Sequence, residues 1–392
     1  MKKYFLTPNK IRLISSIIAV AFALPLSWKG LTGLYTWFSP FILLNSVLVL
    51  KSFVWINVFG FVVLAFSFVR RRWFCRYMCP VGYGCDLVSK CSPRKSFKLS
   101  RVPNFSKWLT TISLFAAVTG LPIFILLDPM ALFHGFFSVF VEKKSLVVIV
   151  SFLGLPILFV THLFLPGIWC ARICPLGGLQ DICDFVKKTL LKVGTRKRSN
   201  ALNRFGRRFF IASGLGVSSG LLIPRYLYSP PRKYIRPPAS LPSNLFNTLC
   251  IRCGNCIKTC PTRIIVNHTD SSNLLAWMTP IVHFKNSYCL ENCNLCGKVC
   301  PSGAITEFQI QAKKEIVMAL AVVNLEDCLL TKQSECGRCI EACKYDAMKI
   351  KYSVLENQMV PIVVSDRCVG CGACAVICPP LTIEMIPPEN SM

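Results

Sequence analysis

Sixteen of the 23 cysteines lie between residues 250 and 378, and their grouping constrains this chain more than any other feature. The spacing C-x2-C-x2-C-x3-C-P is shared by the first quartet (Cys250, Cys253, Cys256, Cys260) and the fourth quartet (Cys368, Cys371, Cys374, Cys378). The second quartet (Cys289, Cys293, Cys296, Cys300) has C-x3-C-x2-C-x3-C-P. In the third quartet (Cys328, Cys336, Cys339, Cys343) the first gap widens to seven residues, and Lys344 replaces the proline. Such regular groups indicate four metal centres.

A compressed run of four thiolates followed by proline is typical of a [4Fe–4S] cluster, in which the fourth cysteine ligates a neighbouring cube. Zinc knuckles and disulfides are the alternatives. Zinc sites favour two separated pairs of ligands, and disulfides would not need regular quartets. The sequence therefore predicts four [4Fe–4S] clusters in an α+β ferredoxin-like domain of tandem modules, covering residues 245–392.

Shared spacing predicts which quartets exchange their fourth cysteines. The first quartet would pair with the fourth, and the two irregular quartets with each other. On this interpretation Cys260 binds the cube of the fourth quartet, and Cys378 completes the cube of the first. Pairing of neighbours along the chain stays open as the alternative.

The first 240 residues are apolar and basic. A hydrophobic content of 53% and a mean hydropathy of +0.51 exceed those of ordinary soluble proteins. The net charge of +27 lies between apolar runs, which favours membrane topology over a nucleic-acid surface. The sequence predicts an α-helical membrane domain with four spans: Leu13–Trp28, Phe53–Val69, Trp108–Leu127 and Ser145–Leu165. Leu31–Leu50, interrupted by Pro40 and Asn45, is interpreted as re-entrant or interfacial, with a full span as the alternative.

Basic residues alternate between the loops. Segments 1–12, 70–107 and 166–208 carry 24 of them, against 8 in segments 28–52, 128–144 and 224–240. The positive-inside rule then predicts a multi-pass protein of the bacterial inner (cytoplasmic) membrane. Its N-terminus would be cytoplasmic and its ferredoxin domain periplasmic.

A CxxxCP motif occurs twice in this part, as WFCRYMCPVG from Trp73 and IWCARICPLG from Ile168. The two cysteine pairs are offset by 95 residues. Because each motif follows an apolar run and a Pro-containing segment, residues 1–190 are predicted to be a duplicated four-helix domain.

The i, i+4 spacing within each motif would place two thiols on one helix face. Four converging thiolates suit a fifth [4Fe–4S] cluster or a softer ion such as Cu(I), with reduced thiols that bind no metal as the alternative. These candidate ligands are Cys75, Cys79, Cys170 and Cys174. Three further cysteines have no symmetric partners and are interpreted as structural, with a spare ligand among them as the alternative: Cys85, Cys91 and Cys183.

The stretch NRFGRRFFIASG places Arg207 and Arg208 before the apolar run Phe209–Ile223. This pattern resembles a twin-arginine export signal. It predicts a signal or anchor helix over residues 191–223, as a fifth span, and a Pro-rich linker over residues 224–244. A domain that receives its clusters in the cytoplasm has to be exported folded. The alternative is that the arginines only add to the charge beside an ordinary span.

Asp128 and His134, in DPMALFHG, are a candidate pair for binding and deprotonating a quinol. His162 is the other histidine in the apolar part. A histidine without a ligand at an interface is the alternative.

Together these motifs carry a resemblance to a known family. The two CxxxCP motifs resemble the NapH-type membrane subunit of a quinol dehydrogenase, and the twin-arginine stretch with four quartets resembles the NapG-type periplasmic ferredoxin. The chain would be a fusion of the two. One departure is that NapH-type proteins end in their own cytoplasmic ferredoxin pair, whereas residues 183–203 here lead to the export signal.

The resemblance implies an electron-transfer subunit that passes electrons from the membrane quinone pool to a periplasmic cytochrome or reductase. The twin-arginine export machinery would be a further partner. A maturation or regulatory factor that donates electrons to a periplasmic metalloenzyme is the alternative. The chain carries no Rossmann glycine motif, Walker loop, HExxH or nucleophile elbow, and no nucleic-acid partner is expected.

Overall fold

The computed structural model describes residues 8–24, 30–93, 99, 102–138, 140–141, 153–191, 198–227, 234–270, 273, 275–332, 334–353 and 358–388. The chain forms two compact units. The first comprises Met1–Ser229, Asn247–Asn255 and Pro301–Gly303, and the second comprises Pro230–Phe246, Cys256–Cys300 and Ala304–Met392.

Helices build the first unit, and they occur in the same order in two halves. The first half contains Pro8–Ala23, Leu34–Trp37, Pro40–Leu50, Val58–Val69, Trp73–Tyr77 and Pro80–Lys90. The second half contains Phe105–Val118, Pro129–Ser138, Gly154–Phe164, the π-helical turn Trp169–Ile173 and Pro175–Leu191. Arg198–Leu227 follows as one helix of 30 residues. Proline begins several of these helices because its fixed φ suits the first helical position.

Among the described residues, no helix combines the length and the apolar character needed to cross a membrane. This finding contradicts the predicted membrane domain of four spans plus a fifth, and with it the prediction of a multi-pass inner-membrane protein. Four of the predicted runs contain helices of 16, 12, 14 and 11 residues, against about 20 for a bilayer. Residues 25–28 and 145–152 of the predicted runs lie outside the described residues.

Helix breaks explain why continuous apolar runs do not give long helices. The run Trp108–Leu127 leaves its helix after Val118, since Gly120 has a φ of 93° and Pro122 follows. Leu31–Leu50 is divided at Pro40 into two helices. The 30-residue helix Arg198–Leu227 is long enough, but its arginines, glycines and serines lower its apolar character.

The halves of the first unit are joined by buried polar contacts around a shared apolar core. Phe41 and Phe74 of the first half pack in one cluster with Met130 and Leu176 of the second, and all four are fully buried. At a second contact, Arg72 forms a two-pronged ion pair with Asp181 at 2.6 and 3.0 Å. The aspartate side chain is 2% exposed, so this pair holds the CxxxCP segments together inside the unit.

Within its described residues, the second unit contains three antiparallel two-stranded sheets with short helices between them. The pairs are β1 (Ile265–Asn267) with β2 (Pro280–Val282), β3 (Leu320–Val323) with β6 (Ile383–Ile386), and β4 (Met348–Ser353) with β5 (Gln358–Val363). In register, Ile265 opposes Val282, Leu320 opposes Ile386 and Met348 opposes Val363. β3 precedes the third quartet and β6 follows the fourth. Their pairing therefore brings together the two ends of the segment that carries both quartets, and closes it into one module.

Candidate iron–sulfur centres

Each quartet carries its third cysteine on a short helix and its fourth cysteine at or just beyond the end of that helix. The helices are Asn255–Thr259, Leu295–Lys298, Arg338–Glu341 and Ala373–Ile377. The helical turn moves the fourth thiol away from the first three, which is what ligation of a neighbouring cube requires.

A cavity is lined by the first three cysteines of the third quartet together with Cys378 of the fourth. Its other walls are mostly apolar, including Val323, Pro361 and Ile383. Burial raises the pKa of the Cys339 thiol, and the neighbouring Cys336, Cys328 and Cys378 raise it further. The four sulfurs therefore surround one space.

A second cavity shows the reverse exchange. It is lined by Cys368, Cys371 and Cys374 of the fourth quartet and by Cys343 of the third. Burial raises the pKa of Cys374 to about 12, and Cys371, Cys368 and Cys343 contribute after it. Thiols of this kind are protonated at neutral pH and release their protons when iron binds, so metal binding and folding are coupled. The donor set of each cavity, four thiols, fits a [4Fe–4S] cube.

Cys260 is an electrostatic neighbour of the second quartet. Burial raises the pKa of Cys296 well above its usual range, and Cys289, Cys293 and Cys260 add to the effect. Together with the two cavities, this places the exchange between neighbours along the chain. The predicted pairing of the first quartet with the fourth, and of the second with the third, is therefore wrong. Equal spacing does not select a partner, because β3–β6 pairing closes the third and fourth quartets into one module.

Two glycines of the fourth quartet shape its ligand loop. Gly370 and Gly372 have φ values of 74° and 82°, and an added Cβ would clash with Ala319 O or with the Phe284 ring. Only glycine tolerates both conditions. The first quartet has Arg252 where the fourth has Gly370, with a φ of 54°.

Protein groups donate to several of the candidate ligand sulfurs. The backbone N–H of Ala347 lies 3.3 Å from Cys343 Sγ, and that of Ile305 lies 3.4 Å from Cys300 Sγ. The Thr382 hydroxyl is 3.3 Å from Cys378 Sγ and donates to it once the sulfur is a thiolate. Such hydrogen bonds stabilise the reduced cluster and raise its potential.

Lys313 is a buried cation beside the second quartet, and no sequence motif indicated it. Its side chain is 2% exposed and lies in the 3-10 turn Gln311–Glu315. Nζ lies 3.3 Å from Cys289 Sγ, donates to Cys293 O at 2.7 Å, and also donates to Leu290 O. The three contacts consume all three ammonium protons, so the charge is held directly against a ligand sulfur.

A direct backbone contact joins the second and fourth quartets. The N–H of Cys289 donates to the carbonyl of Cys371 at 2.9 Å. Tyr345 lies at the same junction, where burial raises its pKa to about 12 and Cys371 and Cys289 add to the effect. The Tyr345 ring also lines the cavity of the fourth quartet. Ligand residues of two different modules are thus hydrogen-bonded neighbours.

The two CxxxCP segments converge in the first unit, although neither pair lies on a single helix. Cys79 is extended and caps the helix that begins at Pro80, so the predicted arrangement on one helix face is wrong. Its Sγ accepts from Gly82 N at 3.2 Å. Burial raises the pKa of Cys79, and the neighbouring Cys75, Cys170 and Cys174 contribute after it. The four thiols therefore lie close together at the contact between the halves.

The remaining candidates occupy different environments. Cys183 is buried and Cys91 is exposed. Asp128 and His134 both have no exposed surface, and both belong to the segment Asp128–Ser138. Asp128 caps that helix by accepting from Met130 N at 2.8 Å, and it accepts from the Ser39 hydroxyl at 2.6 Å. The carboxylate therefore has a structural role.

Replacing Asp128 by alanine is expected to destabilise the first unit by about 1–2 kcal/mol, because the helix loses its cap.

Burial raises the pKa of Asp128 to about 6, although hydrogen bonds from Ser39, Met130 and Ala131 oppose the shift. The unfolded carboxyl titrates near pH 3.9, so the folded state holds the proton more tightly. The free energy of unfolding should fall as the pH rises from about 4 to about 6.

Asp128→Asn is the matched control, since it retains the capping oxygen and removes the charge. Denaturant unfolding at pH 5 and pH 7 should show a smaller pH dependence for Asp128→Asn than for the unchanged chain. Equal pH dependence in both would contradict the assignment of this proton to Asp128.

Known family models match both parts of the chain. The 4Fe-4S dicluster domain matches residues 249–304 and 334–381, and a 4Fe-4S binding domain matches residues 52–98 and 147–192. Each dicluster match combines neighbouring quartets, as the cavities do. No solved structure matches the chain significantly.

These centres define an iron–sulfur electron-transfer protein built from tandem [4Fe–4S] ferredoxin domains. The chain is 33% identical over 196 residues to the ferredoxin-type protein NapG of Escherichia coli (strain K12). The aligned region covers 46% of this chain and 83% of NapG. It is 32% identical over 145 residues to NapF of the same strain, covering 37% of this chain and 80% of NapF. The chain belongs to this family of ferredoxin-type proteins.

The methylamine utilization ferredoxin-type protein MauM of Methylophilus methylotrophus is a further relative. It is 30% identical over 155 residues, which cover 37% of this chain and 66% of MauM. These relatives confirm the predicted NapG-like ferredoxin, iron–sulfur clusters and electron transfer. They do not support the predicted fusion with a NapH-type membrane subunit.

Proposed function

We propose that this protein relays electrons through four [4Fe–4S] clusters, taking them from quinol and passing them to a periplasmic redox protein such as a cytochrome or reductase. The observation that carries the proposal is the hydrogen bond from Cys289 N to Cys371 O at 2.9 Å. Without such a contact, the two modules would be separate two-cluster carriers. With it, ligands of adjacent clusters are joined by one hydrogen bond.

The proposed order of the relay follows from the shared ligands. A cluster held by Cys260 and the first three cysteines of the second quartet would lie next to the cluster held by Cys343 and the first three cysteines of the fourth. The cluster of the third quartet with Cys378 would be terminal at one end. The remaining ligands, Cys250, Cys253, Cys256 and Cys300, would hold the cluster at the other end.

The protein contributes electrostatics and placement to this relay, while the clusters supply the one-electron chemistry. Lys313 would raise the potential of one inner cluster, and backbone N–H groups would do so at others. Mostly apolar side chains line the candidate cluster sites of the third and fourth quartets. The quinone pool and the acceptor are proposed from the resemblance, and no residue is assigned to quinol.

The test is anaerobic and uses the full chain with its four clusters. A menaquinol analogue is added, and the iron–sulfur absorbance and EPR signals are followed, with dithionite as the control for reducible clusters. We expect quinol to reduce the clusters and an added c-type cytochrome to reoxidise them. Reduction by dithionite but not by quinol would contradict the quinol source, and failure of reoxidation would contradict the acceptor.

A second candidate is an electron-donating maturation or regulatory factor for a periplasmic metalloenzyme. The similarity to MauM, whose name assigns it to methylamine utilization, favours this candidate. Depletion experiments distinguish the two functions. A maturation factor is needed only while its client enzyme is assembled, whereas a relay is needed at every turnover.

We also propose that Arg207 and Arg208 act as a twin-arginine export signal within the helix Arg198–Leu227. The reason is chemical, since clusters assembled in the cytoplasm must leave in a folded domain. Replacement of both arginines by lysine should retain the charge and abolish export of the chain fused to a reporter. Undiminished export of that variant would contradict the proposal.

A further inference from the structure

Three side chains able to bind metal meet in the first unit, outside the ferredoxin quartets. Their ligand atoms, two thiol sulfurs and one imidazole nitrogen, all lie within 4.8 Å of one another. Cys85 comes from the helix Pro80–Lys90, His162 from Gly154–Phe164 and Cys170 from the turn Trp169–Ile173. Within the described ranges this is the only group of at least three such atoms at that spacing. Contact between three separate elements is not produced by local helix periodicity.

His162 has the tautomer and the orientation of a ligand. Its side chain has no exposed surface, and Nδ1 donates to the Leu158 carbonyl at 3.1 Å. That bond fixes the proton on Nδ1 and leaves the lone pair on Nε2, as in metal-binding histidines. The other side of the buried ring faces the Cys170 thiol, which interacts with His162 by a hydrogen bond and by charge.

The duplicated half provides a comparison inside the same molecule. Cys75 occupies the position that corresponds to Cys170 at the 95-residue offset. There, Gln180 Nε2 lies 3.3 Å from the Cys75 sulfur. The Ser67 hydroxyl donates to Gln180 Oε1 at 3.3 Å. The Cys75 thiol is therefore stabilised by a chain of hydrogen bonds from Ser67 through Gln180. The residues at the offset of 95 are His162 for Ser67, Cys170 for Cys75 and Cys85 for Gln180, so each of the two arrangements contains residues from both halves.

The comparison shows what is special about the second arrangement. Packing and hydrogen bonding at this position are satisfied by serine and glutamine, so neither a thiol nor an imidazole is needed for the fold. Both positions nevertheless carry residues that coordinate metal. Cys85 is 1% exposed, and an exposed thiol such as Cys91 offers no such enclosure.

We propose that Cys85, His162 and Cys170 bind one thiophilic d10 cation, either Zn(II) or Cu(I). Two thiolates and one imidazole are soft and borderline ligands that favour these ions over Mg(II) or Ca(II). With Zn(II) the site would be neutral, which suits a buried position, and a fourth position would remain for another ligand. With Cu(I) the three ligands would suffice. Two thiol protons leave on binding, and no electron is transferred.

This site is different from a fifth cluster at the CxxxCP pair. A [4Fe–4S] cube would use Cys170 together with Cys75, Cys79 and Cys174, whereas the proposed ion uses Cys170 with two residues outside both motifs. The proposal does not depend on the quinol or acceptor assignments. Substitutions outside Cys170 therefore separate the two sites.

The experiment uses the full chain, purified anaerobically with its clusters and equilibrated with Zn(II) or Cu(I) in separate samples. After removal of free metal, the zinc, copper and iron of each sample are counted by mass spectrometry. We expect about one equivalent of zinc or copper per chain, and absorption at the K-edge of that metal fitted by two sulfurs and one nitrogen. The metal that is retained distinguishes the two ions.

The first variant replaces Cys85 and His162 by the residues found at the corresponding positions around Cys75. Cys85→Gln with His162→Ser should reduce retained zinc or copper at least tenfold and leave the iron content unchanged. Cys91→Ser and Cys79→Ser should retain the ion. In the opposite direction, Gln180→Cys with Ser67→His should create a second site at Cys75 and raise the count to about two.

Three results would overturn the proposal. The unchanged chain could retain neither zinc nor copper while holding its full iron. Cys79→Ser could lose the ion as completely as Cys85→Gln with His162→Ser, which would assign it to the CxxxCP thiols. If Cys85→Gln with His162→Ser does not fold, Gln180→Cys with Ser67→His decides the question. Failure of that variant to bind a second zinc or copper ion would overturn the proposal.

Discussion

Replacing Lys313 by methionine is expected to lower the reduction potential of one cluster by on the order of 100 mV. The ammonium lies 3.3 Å from Cys289 Sγ and is almost completely buried, so solvent screens it little. A unit charge about 6 Å from the centre of a cube, at an effective dielectric constant of about 20, contributes roughly 3 kcal/mol. About 1.4 kcal/mol corresponds to about 59 mV for one electron. The positive charge stabilises the reduced cluster, so its loss makes that cluster harder to reduce.

An EPR-monitored redox titration of the full chain measures this effect, because only one of the four components should move. Lys314→Met is the matched control, since Lys314 is the exposed neighbour in the same turn. Lys313→Arg retains the charge and should keep most of the potential. A shift in Lys313→Arg as large as in Lys313→Met would show that lost contacts, and not lost charge, cause the change. Iron counts confirm that the cluster is present in each variant.

The kind of metal centre could be predicted from the sequence, whereas its surroundings could not. Ligand spacing is a local property, and four thiols spaced by two or three residues already suit one cluster type. Lys313 lies 24 positions after Cys289, and only the turn Gln311–Glu315 brings it back to the sulfur. A lysine in a polar stretch has no pattern that distinguishes a buried cation from a solvated one.

The apolar part shows the opposite failure. Hydropathy averages over a run, and it takes no account of where a helix stops. Gly120 and Pro122 end the third predicted span, and Pro40 divides the apolar segment before the second. The repeat was visible in the sequence, and the same offset of 95 residues also relates Cys85 to Gln180 and His162 to Ser67. Comparison of the two halves beyond the CxxxCP motifs could therefore have identified both metal-binding candidates.

Cluster pairing shows why a motif does not determine its own partner. Spacing describes how one segment grips its cube, and the partner is chosen by which segments the chain brings together. Here β3 and β6 close a module around the third and fourth quartets. Residues within one module are then near neighbours whatever their spacing, so the irregular third quartet exchanges ligands with the regular fourth.

Double cysteine replacements should reveal this exchange of ligands through the number of clusters that each variant loses, measured as iron per chain. Cys343→Ala with Cys374→Ala removes two ligands from one cavity, so about four irons per chain should be lost. Cys343→Ala with Cys339→Ala removes one ligand from each cavity, so about eight should be lost. Each double variant carries two replacements, and the iron of the other module provides an internal reference.

The result is decided by the comparison and not by either variant alone. If each quartet filled its own cube, the second pair of replacements would remove about four irons and the first about eight. The reciprocal variant, Cys378→Ala with Cys339→Ala, should lose about four, because both thiols line the other cavity. Agreement of the two tests would fix the order of the inner and terminal clusters, since Cys371, which contacts Cys289, belongs to the cluster that Cys343 completes.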